Sequence, residues 1–310
     1  MIRNKIFIAL IGILICSCQT DNNVLDENPN YQQNEKICIS ATINKSLQAK
    51  ESGSETYTDY VENYTIGLTI NCSNNNNDYS NTQWTYSSDT ETWSNTSGTP
   101  MLWGNSTSTN TVLAYAPYNS IFDDERYTFY VNTDQSNENN FAASDLVTYK
   151  ANNYTPDTDS IDIPIMFNHK LTKLIINFSH GDEYDDNFTD YTVRINAKNK
   201  STYTQSDNMV RVSETATTKT LTPFLSGNKA EVIIAPQTIV AGTRLIAFYI
   251  DGNTYYFTTP EEYTFASGEY ITLNIRIGKD NLELEDGNDG ITVGSWNEGA
   301  DIYGTVSPYE

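Results

Sequence analysis

Apolar residues recur at every second position along most of this chain, and that spacing constrains its fold more than any other feature. Tyr191, Val193, Ile195 and Ala197 interleave with Thr192, Arg194, Asn196 and Lys198, so an extended segment has one apolar and one wet face. Leu273, Ile275 and Ile277 alternate in the same way with Thr272, Asn274 and Arg276. Further stripes are Ile66, Leu68 and Ile70, then Tyr127, Phe129 and Val131, then Leu174, Ile176 and Phe178. No stretch holds a helical period. Twenty-two tyrosines and 11 phenylalanines add side chains that fit pleated, half-buried surfaces. Asp251-Gly252-Asn253 between two aromatic runs is a hairpin signal. Short strands with one wet face each predict an all-β chain of antiparallel sandwiches.

The connections differ between the two halves. Residues from Cys72 to about Thr111 are rich in Asn, Ser, Thr and Trp and poor in aliphatics, which predicts long surface loops or a decorated sheet edge. Asn152 to Asp162, with Pro156 and several acids, reads as a linker, and a domain boundary is placed at residue 160.

The first residues carry a different signal. Arg3 and Lys5 precede an apolar run from Ile6 to Ile15, and a small residue, Ser17, stands directly before Cys18. The run is about ten residues where a membrane span needs about twenty, so it reads as a secretory signal peptide over 1–17. Residues 18–34 are polar and unpatterned, as a tether would be.

Charge excludes one class of partner. The chain has 18 Lys+Arg against 40 Asp+Glu, a formal net charge of −22, and losing Arg3 and Lys5 makes the exported body more acidic still. Such a surface repels phosphate backbones, so no nucleic-acid partner is expected.

Motifs for catalysis are not found. The two histidines, His169 and His180, come with no HExxH, zinc-like cysteine spacing or GxSxG elbow, and His169 reads as a packed sheet residue. Asp182 to Asp186 and Asp286 to Asp289 gather hard oxygen ligands but lack EF-hand spacing and read as solvated turns. No enzyme activity, cofactor or metal is expected. Cys38 and Cys72 either pair, as an exported compartment permits, or serve as small buried hydrophobes.

Several segments, in order, carry a resemblance. Val112-Leu113-Ala114-Tyr115-Ala116-Pro117-Tyr118 after Trp103, Phe167-Asn168-His169-Lys170-Leu171-Thr172-Lys173-Leu174, Ala235-Pro236-Gln237 with Ala241-Gly242, Ser267-Gly268 and Trp296-Asn297-Glu298-Gly299 resemble the Bacteroidales fimbrillin family of pilin lipoproteins. The ending on Cys18 resembles a bacterial lipoprotein lipobox. The resemblance implies two tandem transthyretin-like antiparallel β-sandwich domains, over 35–160 and 161–310, and a lipid anchor to the outer membrane at Cys18. It also implies a cell-surface fimbrium whose subunits join after a protease removes the first strand. The opened groove would then be filled by another subunit's terminal strand, a β-augmentation.

The residues fit that scheme in part. Ile37, Ile39, Ala41 and Ile43 alternate with Cys38, Ser40 and Thr42, as a removable first strand or a permanent core strand would. Where family members carry a processing arginine, this chain has Lys45 and Lys50, open to a lysine-tolerant protease. Ile291 and Val293, then Ile302 and Val306, form a two-part candidate donor strand. Trp84, Trp93 and Trp103 among polar loops are candidate rings for stacking on a glycan, so a glycan-binding lipoprotein for nutrient capture is the alternative to a fimbrial subunit. Asp159-Ser160-Ile161 resembles an O-glycosylation signal of Bacteroidetes secreted proteins, with Ser160 as acceptor. Expected partners are other fimbrial subunits and a surface receptor or glycan.

Overall fold

The computed structural model describes residues 36–43, 64–72, 78–103, 109–122, 125–156, 162–180, 191–250, 252–277, 282–284 and 291–296. In chain order its strands are β1 (Cys38–Ile43), β2 (Thr65–Cys72), β3 (Tyr79–Ser87), β4 (Thr92–Asn95), β5 (Asn110–Ala116), β6 (Arg126–Tyr130), β7 (Val147–Tyr154), β8 (Asp162–His169), β9 (Thr172–His180), β10 (Tyr191–Lys198) and β11 (Lys200–Thr204). They continue as β12 (Met209–Val212), β13 (Thr218–Leu221), β14 (Phe224–Ser226), β15 (Lys229–Ile234), β16 (Gln237–Ile239), β17 (Arg244–Ile250), β18 (Asn253–Thr258), β19 (Tyr263–Phe265), β20 (Glu269–Ile277), β21 (Leu282–Leu284) and β22 (Ile291–Ser295). A single short helix, α1 (Glu138–Ala142), interrupts them among the described residues, capped by the Asn137 side chain accepting from the Asn140 N–H.

The first seven-stranded sheet runs β1-β8-β7-β5-β2-β3-β4. Its stripes Ile66, Leu68, Ile70, Val112, Ala114, Ile163, Ile165 and Phe167 close on one buried core. Met101 to Trp103 join the two edges, since Ile37 N–H donates to Met101 C=O at 2.8 Å and Lys36 bridges Leu102. The second core lies between the sheet β13-β10-β17-β18 and the sheet β14-β15-β9-β20, whose β20 edge carries β21 and β22. Val193, Ile195 and Ala197 of β10 point into it and Thr192, Arg194 and Asn196 point away, as the period-two pattern predicts. β17 and β18 form the predicted hairpin, with Gly252 at φ 80° supplying a turn conformation other residues rarely adopt. Among the described strands two pairings are parallel, β1 with β8 and β9 with β20, and the others are antiparallel.

The described part of the Asn-rich stretch after Cys72 takes the second of its two expected forms, with β3 and β4 making a decorated sheet edge, whereas the expected domain boundary meets a different outcome. The boundary at residue 160 falls one strand before the first sheet ends, because β8 over Asp162–His169 hydrogen-bonds with β1 and β7. Asn152 to Asp162 therefore connects two strands of one sheet.

A fourth sheet, β12-β11-β6, pairs β6 from the first half with β11 from the second. Beneath it Leu113, Tyr115, Phe129, Tyr203, Ile233 and Trp296 share a core. The seam between the halves is thus made of sheet hydrogen bonds and buried apolar contact.

Candidate assembly site

The first strand lies at the end of its sheet and, among the described residues, pairs along its length with β8 alone, while Lys36 and Ile37 just before it meet Leu102 and Met101. β1 runs parallel to β8 with Ile39 opposite Ile163, Ala41 opposite Ile165 and Ile43 opposite Phe167. Equal parity puts both apolar stripes on the same face. Ile37 is fully buried and Ile39 is 7% exposed, while Ala41 and Ile43 are half-buried against the same core. Ser40 and Thr42 on the other parity are exposed. β8 in turn meets β7 only at Val147 and Thr148, so residues Asp162 to Phe167 have β1 as their sheet partner. Pro164 lacks an N–H and fits such a margin better than a central strand. At the head of the pairing, Cys38 stands opposite Asp162, whose carboxyl is pushed above its ordinary range by burial. No disulfide joins Cys38 to Cys72 among the described residues, so β1 has no covalent tie of that kind to the body.

The other terminal segment is docked on its own chain. β22 pairs antiparallel with β20, Ile291 opposite Leu273 through Ser295 opposite Glu269, and Val293 packs against the second core. Just beyond it, Trp296 N–H donates to Gly268 C=O at 2.7 Å. The Trp296 ring lies 3.8 Å from the His169 ring at an interplanar angle of 7°. His169 Nδ1 is within 3.0 Å of the Asp145 carboxylate, and Lys173 Nζ lies 5.8 Å from the indole centroid. His169 is thus the packed, hydrogen-bonded residue its sequence context predicts. The stack on Trp296 was not legible there, because the two residues lie far apart in the chain.

The tryptophan triad does not form a surface platform. Trp84 and Trp103 are 2% and 1% exposed inside the first core, so neither has a face for a sugar. The polar neighbours of Trp84, Gln83 and Thr85, are less buried positions of β3. Trp93 alone is half-buried, edge-on to Tyr64 at 6.4 Å and tilted against Tyr86 at 5.3 Å. Cys18, Lys45, Lys50, Ser160, Ile302 and Val306 lie outside the described residues, as do Asp182 to Asp186 and Asp286 to Asp289. Among the described residues no group of His, Cys, Asp and Glu could hold a metal ion, and no helix is long and apolar enough to cross a membrane.

Comparison with known proteins agrees with this architecture. A crystal structure of a candidate cell adhesion protein from Bacteroides uniformis superposes with a TM-score of 0.62 at 20% identity, covering 84% of this chain and 98% of that one. A second, a candidate cell adhesion protein from Bacteroides ovatus, gives a TM-score of 0.67 at 14% identity, over 87% of this chain and 100% of that one. No curated protein matches the chain. At such identities the likeness is one of fold. The family assignment comes from the sequence itself, since the fimbrillin-like family model matches residues 27–296. With nearly all of both sandwiches inside that match, this chain belongs to the fimbrillin-like family.

Proposed function

We propose that this protein is a fimbrial subunit, exported as a lipoprotein anchored through Cys18 and assembled on the cell surface by strand exchange after its first strand is removed. The supporting observation is the placement of β1 at a sheet edge, on a single parallel ladder, with Ile37 and Ile39 buried. Each fully buried aliphatic contributes roughly 1.5 to 3 kcal/mol. Uncovering Ile163, Ile165 and Phe167 would thus cost an amount comparable to a domain's net stability of about 5 to 15 kcal/mol. A trimmed body cannot sit idle with that groove open. It must take in another strand or lose stability, and its partners are accordingly other fimbrial subunits.

Processing would fall in the polar run holding Lys45 and Lys50, and the donated strand would come from the C-terminal region around Ile291 to Val306. Limited trypsin should cut at Lys45 or Lys50 before any site inside the sandwiches, followed by multimers on size exclusion or a lower melting temperature. Replacing Ile39 with Asp should mimic trimming, because a carboxylate without a partner is not tolerated in that stripe. Trimmed protein that stays monomeric with an unchanged melting temperature would overturn the strand-exchange reading.

A further inference from the structure

We propose that the outward face of the sheet β13-β10-β17-β18 binds an anionic saccharide, a polymer carrying carboxylate or sulfate groups. The inference is independent of strand exchange, because this sheet contributes neither β1 nor β22.

The face is built by the same alternation that buries its opposite side. Val193, Ile195, Phe248 and Phe257 turn into the core, so their neighbours must turn out. The registers set these in rows: Thr192, Tyr249 and Thr254 form one, and Arg194, Ala247 and Tyr256 the next. Tyr249 and Tyr256 are thereby diagonal neighbours on an antiparallel pair, and they keep 43% and 40% of their surface exposed. An irregularity between Arg244 and Ile246 breaks the β17 alternation, and the Arg244 guanidinium lies 4.6 Å from the Tyr256 ring centroid. Asn196 Nδ2 donates to Arg244 C=O at 3.0 Å, and Asn196 Oδ1 accepts from Thr220 at 3.0 Å. Lys198 lies on the same parity of β10, two residues beyond Asn196.

Charge points to the occupant. On a chain of formal net charge −22, the paired positions of this face hold Arg194, Lys198 and Arg244 and no carboxylate. None of the three makes an ion pair among the described residues, whereas Lys173, Lys229 and Arg211 each do. Asp134, bridged to Thr222 just after β13, is held below its ordinary range first by the Ser136 hydroxyl and backbone and to a smaller extent by Arg194. Cations so placed, Arg244 exposed and Arg194 and Lys198 half-buried, are complementary to an anion, and a guanidinium ordered by a ring can meet a carboxylate or sulfate with two N–H groups. The two tyrosines carry the argument from anion to saccharide. Their flat apolar faces suit the C–H faces of sugar rings, and the threonine hydroxyls beside them suit sugar hydroxyls. Recognition of an acidic peptide or of a second copy's acidic surface would not need the ring pair.

The test is affinity electrophoresis of the mature, full-length protein in gels containing polygalacturonate, dextran sulfate or neutral dextran. Retardation by at least one of the two anionic polymers and none by neutral dextran is expected, and the two anionic arms separate carboxylate from sulfate preference. Arg244→Gln and Tyr256→Ala should each weaken binding about tenfold, while Arg244→Lys should retain part of it. These side chains point outward, so melting temperatures should hold. If one variant fails to fold, Arg194→Gln and Tyr249→Leu read the same face. No retardation by either anionic polymer would overturn the proposal, as would equal retardation by neutral dextran or retention that all variants leave unchanged. Equally tight binding of single-stranded DNA would reduce the face to a charge sensor and overturn the saccharide assignment. A change in sedimentation of the variants with unchanged retardation would assign the face to a second copy instead.

Discussion

Glu231 shows how an ion-paired cluster is tuned in this protein. Burial by itself would raise the Glu231 carboxyl, but Lys173 at 2.7 Å and Lys229 at 3.1 Å outweigh it and hold the group below its ordinary value of 4.5. A carboxyl depressed in the folded state stabilises that state above the ordinary range, and the contribution is lost as pH falls through the folded value. Glu231→Gln should therefore lower stability by roughly 1 to 3 kcal/mol at neutral pH. Urea midpoints of wild type and variant should converge as pH drops below about 4.5. A gap that persists unchanged into acid would show that the side chain acts through packing alone. Lys173 also lies 5.9 Å from the Phe141 ring centroid and 5.8 Å from that of Trp296, so this ion pair borders the anchor of β22.

At the scale of elements, the edge of β20 is shared: β22 covers Glu269 to Leu273 and β21 covers Ile275 to Ile277. A strand of five residues is weak by itself, and β22 is held at its far end by Trp296, with its backbone bond to Gly268 and its stack on His169. Truncating a buried aromatic costs about 3 to 5 kcal/mol, much of it here released locally by fraying of β22. Trp296→Ala should thus speed hydrogen exchange of the Glu269 to Leu273 amides more than that of β10 or β17. Uniform acceleration across the second core would instead place the tryptophan in the global stability of the fold. If β22 is part of the donated segment, the same variant should ease its release and favour multimers after trypsin trimming.

At the scale of the molecule, the two cores are not separable beads. β6 completes its sheet with β11, and Tyr115 and Tyr203 share a core under it. Gln135, fully buried at this seam, donates from Nε2 to Ile233 C=O at 2.8 Å and to Asn132 C=O at 3.0 Å, and accepts from Ile233 N–H at 2.9 Å. Satisfying all these groups ties β15 of the second half to the segment after β6, and leaving them open would cost about 1 to 3 kcal/mol per group. Calorimetry should accordingly show one transition with equal calorimetric and van't Hoff enthalpies. Gln135→Ala should lower that melting temperature or split the transition. Two resolved transitions in the wild type would mean that the seam contributes little.

The sequence by itself determined the class of the fold and the inward residues of its strands. A two-residue period has one physical reading, so Ile66, Val193 and Leu273 could be assigned to cores without knowing their neighbours. It also located the first strand and its stripe, because Ile37 to Ile43 follow the same rule. Tertiary structure alone decided which strands are neighbours, since pairing joins residues remote in the chain: β8 returned to the first sheet past the boundary read from Pro156 and its acids, and β6 crossed to β11. Local composition misplaced Trp84 and Trp103, because a polar strand such as β3, paired on both sides, can still turn single positions into the core. Tyr249, Tyr256 and Arg244 have no shared motif. They form one face only because the register of a hairpin brings Tyr256 of β18 beside β17 and an irregularity in β17 sets Arg244 on the side of Tyr249.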